Sequence, residues 1–450
     1  MRILPLLLPL LLLALWPVPA GAHVVAPGAD LRIAQTIAGA ELTITVRGVS
    51  TVPAPAVVEI EAFHPVPDLP VELALRSTET GGTSRAAVRL AAGRAGPYRV
   101  SMQVLRAGPH ELEVSTTGER SVLPVRVLVP ATSPWELVIH GGFYVAGILV
   151  VGGLLAGGTS RRGSAVAVRA GAVLGVVALT VAVMSPQLPE PVPDGAAPVA
   201  EPDGTGPGGR PYLMAAFSTQ PARPSAGAEF TLLVDLVDGS TGRPVDDLAL
   251  HHEALAHLVV TSADGAYFRH LHPVRLGPGR LAVRLRADRP GRYLTHAELE
   301  RTDSGGQLVT GAFDVAGTKT APGAVREAPS EAASEAPSEA ASAVVPVEPP
   351  APEASVILPP RPVAGRPATI ELRTTGRLQP WLGMPGHLIV RDQAGAFLGH
   401  VHATPTPTSA LTFTYSFPAP GTYLAWAQYA TNSTIETVPF TITVGTESET

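Results

Sequence analysis

The sequence predicts a mainly β protein: three Ig-like β-sandwich domains, with a two-helix transmembrane hairpin between the first and the second. Three observations predict it. Short alternating apolar and polar runs, separated by turn residues at roughly ten-residue spacing, fill residues 23–132, 211–317 and 354–445, the pattern of strands with one solvated face. Two long apolar stretches, 137–158 and 165–184, interrupt that pattern. The length, 450 residues, allows roughly three domains at ~150 residues each.

Residues 1–22 read as a secretory signal: Arg2 is the charged start, 6–16 the apolar run, and Ala20-Gly21-Ala22 the small-residue cleavage site. Cleavage there makes His23 the new N-terminus. Residues 23–132 form the first sandwich, with Glu41-Leu42-Thr43-Ile44-Thr45-Val46-Arg47 a typical strand. Stretches 137–158 and 165–184 hold 22 and 20 residues, enough to cross a ~30 Å hydrocarbon core at ~1.5 Å per residue. The loop 159–164 carries Arg161 and Arg162, which places it in the cytoplasm and the three β-domains outside, periplasmic or at the cell surface. Gly153/Gly157 and Gly171/Gly175 are each four apart, a spacing that lets two spans pack closely.

Residues 185–210 are a Pro-, Gly- and Ala-rich linker, and 318–353 a second one holding the unit EAPSEAAS twice over 327–342. These linkers permit the sandwiches either to pack together or to stay apart. The blocks they separate, 211–317 and 354–445, are copies of one another: adding 130 carries His257, His270 and His272 onto His387, His400 and His402, and Pro290-Gly291 onto Pro420-Gly421.

Composition removes several function classes. Net charge is −6 and charged residues are only 16% of the chain, which leaves no basic footprint for nucleic acid. There is no cysteine, so thiolate zinc sites, iron–sulfur clusters and Cys–His catalysis are excluded. A metal here must be held by histidine, carboxylate or methionine.

The matched H-x12-H-x-H frames are the chemical signal. Asp264-Gly265 is a hairpin turn signal. With these as the two loop residues, paired positions sum to 529, so His257 lies opposite His272 and His270 opposite Val259. Opposed residues, and residues two apart on one strand, share a face. Each copy therefore offers a histidine trio on one face, the second with pairs summing to 789. Three nitrogens suit Cu(II) or Zn(II), with copper the tighter binder; the alternative is that these are polar residues of a half-solvated strand. His252 or His296 would complete the first site, and Met384, three residues before His387, offers a soft ligand in the second. His252-Glu253 with His257 has one residue too many for a helical zinc-protease motif and reads as strand, so protease is rejected. His23, if N-terminal, gives an amine and an imidazole to one ion, with His64 or His110 able to complete it.

The signal peptide before His23, the β-rich domain and the following span resemble the CopC-like and YtkA-like exported domains of bacterial copper handling. That resemblance implies an Ig-like sandwich and Cu(II) binding through His23. The C-terminal copies resemble a family of secreted bacterial domains with the pattern H-E-x-x-x-H-L-h-V then F-x-H-h-H-P, here His252-Glu253, His257-Leu258-Val259-Val260 and Phe268-Arg269-His270-Leu271-His272-Pro273. The last copy departs from it at Gly399 and Ala403. The expected function is non-enzymatic: a membrane-anchored, extracytoplasmic metal-binding protein, for copper with zinc as the alternative, acting in resistance, buffering or delivery with a metal-donor or acceptor protein. The other reading is a cell-surface interaction protein whose histidines are structural or sense pH.

Overall fold

The computed structural model describes residues 27–446 except 64–67, 132, 157–160, 188–190, 197–211, 303, 318–353 and 405–409. The signal segment, His23, His64, most of the first linker and the EAPSEAAS repeat thus lie outside the described residues.

The first sandwich pairs two four-stranded antiparallel sheets. One has the order β1 (Leu31–Ile37), β2 (Ala40–Val46), β3 (Ala54–Phe63), β6 (Tyr98–Val104). The other runs β5 (Thr83–Leu90), β4 (Leu69–Ser77), β7 (Gly108–Thr116), β8 (Glu119–Val127). Strands β4 and β7 bury alternate residues, as a strand with one core face must. In β2 every residue is buried, because the outer face of its sheet is covered by both later sandwiches: His272 of the second meets Glu41, and Trp381 and Leu382 of the third pack on Ala34 and Phe63. β1 is an edge strand, and it is sealed from outside: the Ala34 N–H donates to Glu253 O and the Thr36 N–H to His272 O, both at 2.7 Å. Arg284 and Glu119 (2.9 Å) tie the two domains at another point.

Helix α1 (Pro134–Leu155) and helix α2 (Arg161–Met184) form an apolar hairpin, each long and apolar enough to cross a membrane. Small residues set their approach: a Cβ on Gly171 would meet Ala146 O at 2.8 Å, and one on Gly153 would meet Val168 at 2.9 Å. The chain leaves β8 and returns beside it, since Val129 and Asp194 exchange two backbone hydrogen bonds (3.0 and 3.1 Å). Both ends of the hairpin are thereby fixed to one end of the first sandwich.

The second sandwich sets β14 (Val274–Gly277), β15 (Arg280–Arg286), β10 (Glu229–Asp238) and β9 (Leu213–Gln220) against β11 (Leu248–Ala249), β16 (Gly291–Arg301), β12 (Ala256–Ser262) and β13 (Phe268–Leu271), with β17 (Gly305–Val315) on β16. The third sets β18 (Ala354–Ile357), β19 (Pro367–Thr374) and β23 (Ala410–Ser416) against β20 (Leu378–Gln379), β24 (Gly421–Thr431), β21 (His387–Asp392) and β22 (Leu398–His402), with β25 (Thr434–Val444) on β24. Five of these strands, β11, β12, β13, β16 and β17, correspond in order to β20, β21, β22, β24 and β25. Asn432-Ser433 is the tight turn joining β24 to β25.

The two copies pack face to face about a pseudo-twofold axis. Gly265 lies against Leu424 while its counterpart Gly395 lies against Leu294: an added Cβ would come within 2.4 and 2.1 Å of the respective leucine methyls. Such reciprocity, residue i on j and j on i, is the mark of an isologous interface. Phe268 stacks on Trp426 with centroids 4.7 Å apart, and buried Arg391 donates to Thr261 Oγ1 (2.5 Å), Ser262 O (3.1 Å) and Ala263 O (2.9 Å). This packing buries both faces of β12. The three sandwiches are packed together, which the linkers alone left open.

Candidate metal centre

Both hairpins have the register read from the sequence: Val259 pairs with His270, and His387 with His402. The loops differ from the expected two-residue turns. Ser262 pairs with Tyr267, leaving four residues, 263–266, in the loop, and Asp392 with Phe397 leaves 393–396. Removing one residue from each strand leaves the sum of paired positions unchanged, so the histidines keep their places.

His252 is not on a strand. It and Glu253 are the central residues of a tight turn, 251–254, closed by two hydrogen bonds between His251 and Ala254. Their φ angles are +47 and +63, as in a type I′ turn, which favours Asn and Gly. The second copy makes the same turn with Leu382-Gly383. Non-glycine residues held there store strain, a feature that concentrates at functional sites; here it lays the His252 ring 3.9 Å from that of His402.

Eight histidines form one cluster across the copy interface: His251, His252, His257, His270, His272, His387, His400 and His402. The trio expected in the second copy does gather, His387, His400 and His402 bringing one nitrogen each to within 4.8 Å of one another. The expectation for the first copy is corrected: its group takes His400 of the other copy in place of His272, so the two sites share a residue across the pseudo-twofold axis. His270 and His400 are 5.1 Å apart at its centre, flanked by His257–His400 (5.2 Å) and His270–His387 (5.9 Å). His257, His270 and His400 bring one nitrogen each to within 4.8 Å of one another.

The outer nitrogens are held by acceptors, which sets the tautomers. The His257 Nε2–H donates to His251 O (3.0 Å). The His270 Nδ1–H donates to Gln428 Oε1 (2.9 Å), whose Nε2 in turn donates to Thr437. The His400 Nδ1–H donates to Glu298 Oε2 (2.9 Å), and the His272 Nδ1–H to Glu41 of the first sandwich. Thr36 orders that carboxylate through its hydroxyl (2.7 Å) and receives the His272 N–H (2.9 Å). In these neutral tautomers the opposite nitrogens turn lone pairs inward. Nδ1 of His257 then lies 3.2 Å from Nε2 of His270 and 3.2 Å from Nε2 of His272, with no proton between them. Two nitrogens bound tetrahedrally to one ion at ~2.0–2.1 Å lie roughly 3.3 Å apart.

Burial, reinforced by neighbouring histidines, pushes the imidazoles of His257, His270 and His387 well below the ordinary range. The same causes bring His252 down to about 4 and His402 to about 3. Burial raises the Glu298 carboxyl, but the hydrogen bond from His400 and the attraction of His400, His251 and His252 together outweigh it and hold the acid below its usual value. Neutral rings beside an ionised carboxylate are what a cation requires.

Three expected residues fall elsewhere. His296 is opposite Val259 on β16, and its Nε2–H donates to Gly395 O (2.8 Å), so it anchors the loop of the other copy and is not a fourth ligand. Met384 closes the turn 381–384 through two backbone hydrogen bonds to Trp381, and it is the Trp381 ring that meets the histidines, 4.8 Å from His387. His110 is buried with Nδ1 on Gly108 O in the first sandwich. Glu41, His251, Glu298 and Gln428 are the additions; the last two are a matched pair 130 apart, a signal the repeat already carried.

Residues 215–319 and 353–446 match the family model of a domain of unknown function (DUF8832). No curated protein matches the chain. Among solved structures the chain is similar to a tetra-tandem repeat in the extending region of a large adhesion protein: 9% identity, 93% of this chain, 75% of that one, TM-score 0.17. It is similar to FdeC, an Escherichia coli adhesin, at 10% identity over 94% of this chain and 99% of the other, TM-score 0.17. It is also similar to a segment of two fibronectin type III domains from chicken tenascin: 11% identity, 52% of this chain, 99% of that one, TM-score 0.16.

Proposed function

We propose that this protein binds a transition-metal ion, Cu(II) before Zn(II), at the histidine cluster between its two C-terminal sandwiches, and serves in buffering, resistance or delivery. One observation carries the reading: His257, His270 and His400 bring one nitrogen each to within 4.8 Å of one another while a second nitrogen of each ring is held by an acceptor. An all-nitrogen donor set without sulfur suits Cu(II) and Zn(II) better than Cu(I). The apolar hairpin would anchor the chain, with the β-domains on the outer side of the membrane as the Arg161-Arg162 loop suggests. The CopC-like and YtkA-like resemblance of the first domain agrees with copper, although the cluster lies away from it in sequence.

The test is a chelator-competition titration of the full chain in detergent with Cu(II) and Zn(II), beside a His257/His270/His400→Ala variant. One tight equivalent, absent from the variant, is expected; equal weak binding by both proteins refutes the reading.

The second reading is an Ig-like cell-surface interaction protein whose histidines cross-link the domains by hydrogen bonds to Gln428, Glu298 and Glu41. The observation that favours it is that these hydrogen bonds join all three sandwiches without any ion. Under that reading the triple variant is less stable and binds metal no differently.

A further inference from the structure

The cluster holds a second group of three donors, and one member belongs to both. His387, His400 and His402 bring one nitrogen each to within 4.8 Å of one another, as do His257, His270 and His400. His387 is wholly buried, yet neither of its nitrogens has a hydrogen-bond partner among the described residues, and the same is true of Nε2 on His400 and His402. Burial strips these nitrogens of water and replaces it with nothing, a cost that a bound cation removes.

His400 has a single nitrogen to give, because its Nδ1 is held by Glu298 at 2.9 Å. Its Nε2 serves the His257/His270 side or the His387/His402 side at any moment. Two dications a few ångströms apart would also repel strongly in a pocket where Glu41, Glu298 and Glu300 are the carboxylates on the rings. The two positions differ in access: His257 and His270 are buried, whereas His402 and the adjacent His252 are half-buried.

We infer that the cluster is a two-position site for one metal ion, in which His400 is the ligand common to an outer position with His387 and His402 and an inner one with His257 and His270. The ion passes between them as His400 swings, without leaving the protein. The inference rests on the metal-binding reading above and adds the route by which an ion enters and leaves.

The experiment uses the full chain in detergent, loaded with Zn(II) and titrated with Cu(II), following zinc release with a chromophoric indicator and copper by electron paramagnetic resonance. One zinc released per copper bound is expected. His257→Ala and His387→Ala should each still take one Cu(II), with hyperfine patterns that differ from each other. Because the two positions share one ion and their association constants add, the variant that keeps the preferred position should retain at least about half the wild-type affinity, and the other should bind more weakly. His400→Ala should bind more weakly than either. Copper uptake with zinc retained shows two independent sites and overturns the inference; so do identical copper spectra for His257→Ala and His387→Ala. The zinc–copper exchange needs no variant, so a misfolded mutant does not leave the question open. Absence of tight binding by wild type removes the metal reading itself, an outcome distinct from both.

Discussion

Glu298→Gln isolates the charge that supports the centre from the geometry that positions it. The carboxylate receives the His400 Nδ1–H at 2.9 Å, and the pseudo-twofold equivalent, Gln428, receives the His270 Nδ1–H at the same distance. The glutamine fits the existing arrangement, because its counterpart already uses the same contact. From Oε2 through the imidazole to an ion on Nε2 is about 7 Å, so a full charge on a dication is worth roughly 5 kcal/mol at an effective dielectric constant of ~20. Desolvating the carboxylate offsets part of that, and supporting residues of metal ligands are typically worth 10–100-fold in affinity, about 1.4–2.7 kcal/mol. The expected result is a 10–100-fold weaker Cu(II) affinity for Glu298→Gln, measured by chelator competition, with unchanged stoichiometry and an unchanged melting temperature of the metal-free chain. Gln428→Glu should strengthen binding. Equal affinity in wild type and Glu298→Gln would show that no ion sits on His400 and would refute the reasoning.

Three further perturbations test the assembly. Glu41→Ala leaves the buried Nδ1 of His272 without its acceptor and loosens the first sandwich from the second; a loss of about 1–3 kcal/mol is expected by chemical denaturation, and no loss means that Glu41 does not buttress the site. Gly395→Ala places a Cβ 2.1 Å from Leu294 at φ +74, costing about 1–2 kcal/mol for the left-handed backbone and about 1–3 kcal/mol for overpacking. Gly242→Ala, at φ +68 with no atom within 4 Å, should show the backbone part alone, so equal melting temperatures would contradict the copy interface. Acid should destabilise the metal-free chain. His252 and His402 titrate at about 4 and 3 when folded against 6.5 for an ordinary histidine, so below pH 6.5 the unfolded chain binds protons that the folded one refuses. Their contribution is complete above pH 6.5 and falls as pH drops toward 4; a melting temperature flat across that range would contradict buried neutral histidines.

The expectation that placed a complete site within the first copy shows where local reasoning stops. An isolated 211–317 segment holds His257, His270 and His272 but lacks His400, Gln428 and Glu41, which the structure brings in from 102 to 231 positions away in the chain. One local clue to the missing half was present. Leu258-Val259-Val260 is continuously apolar where a strand with one solvated face would alternate, and such runs mark strands covered on both sides. The His252-Glu253 turn is illegible for the opposite reason: histidine tolerates a left-handed backbone but the pair lacks the Asn-Gly signal of such a turn, and the surrounding structure imposes it.

The sequence by itself determined the class of fold, the two apolar helices, the duplication and the register of both histidine hairpins. These depend on periodicity and on turns a few residues long, where neighbours in the chain are neighbours in space. Only the tertiary structure decided that two histidine trios make one centre, that His296 and Met384 stand outside it, and that the first sandwich supplies Glu41. Those contacts join residues about a hundred or more positions apart, and they follow from which apolar faces bury against each other, a choice that strand periodicity does not encode.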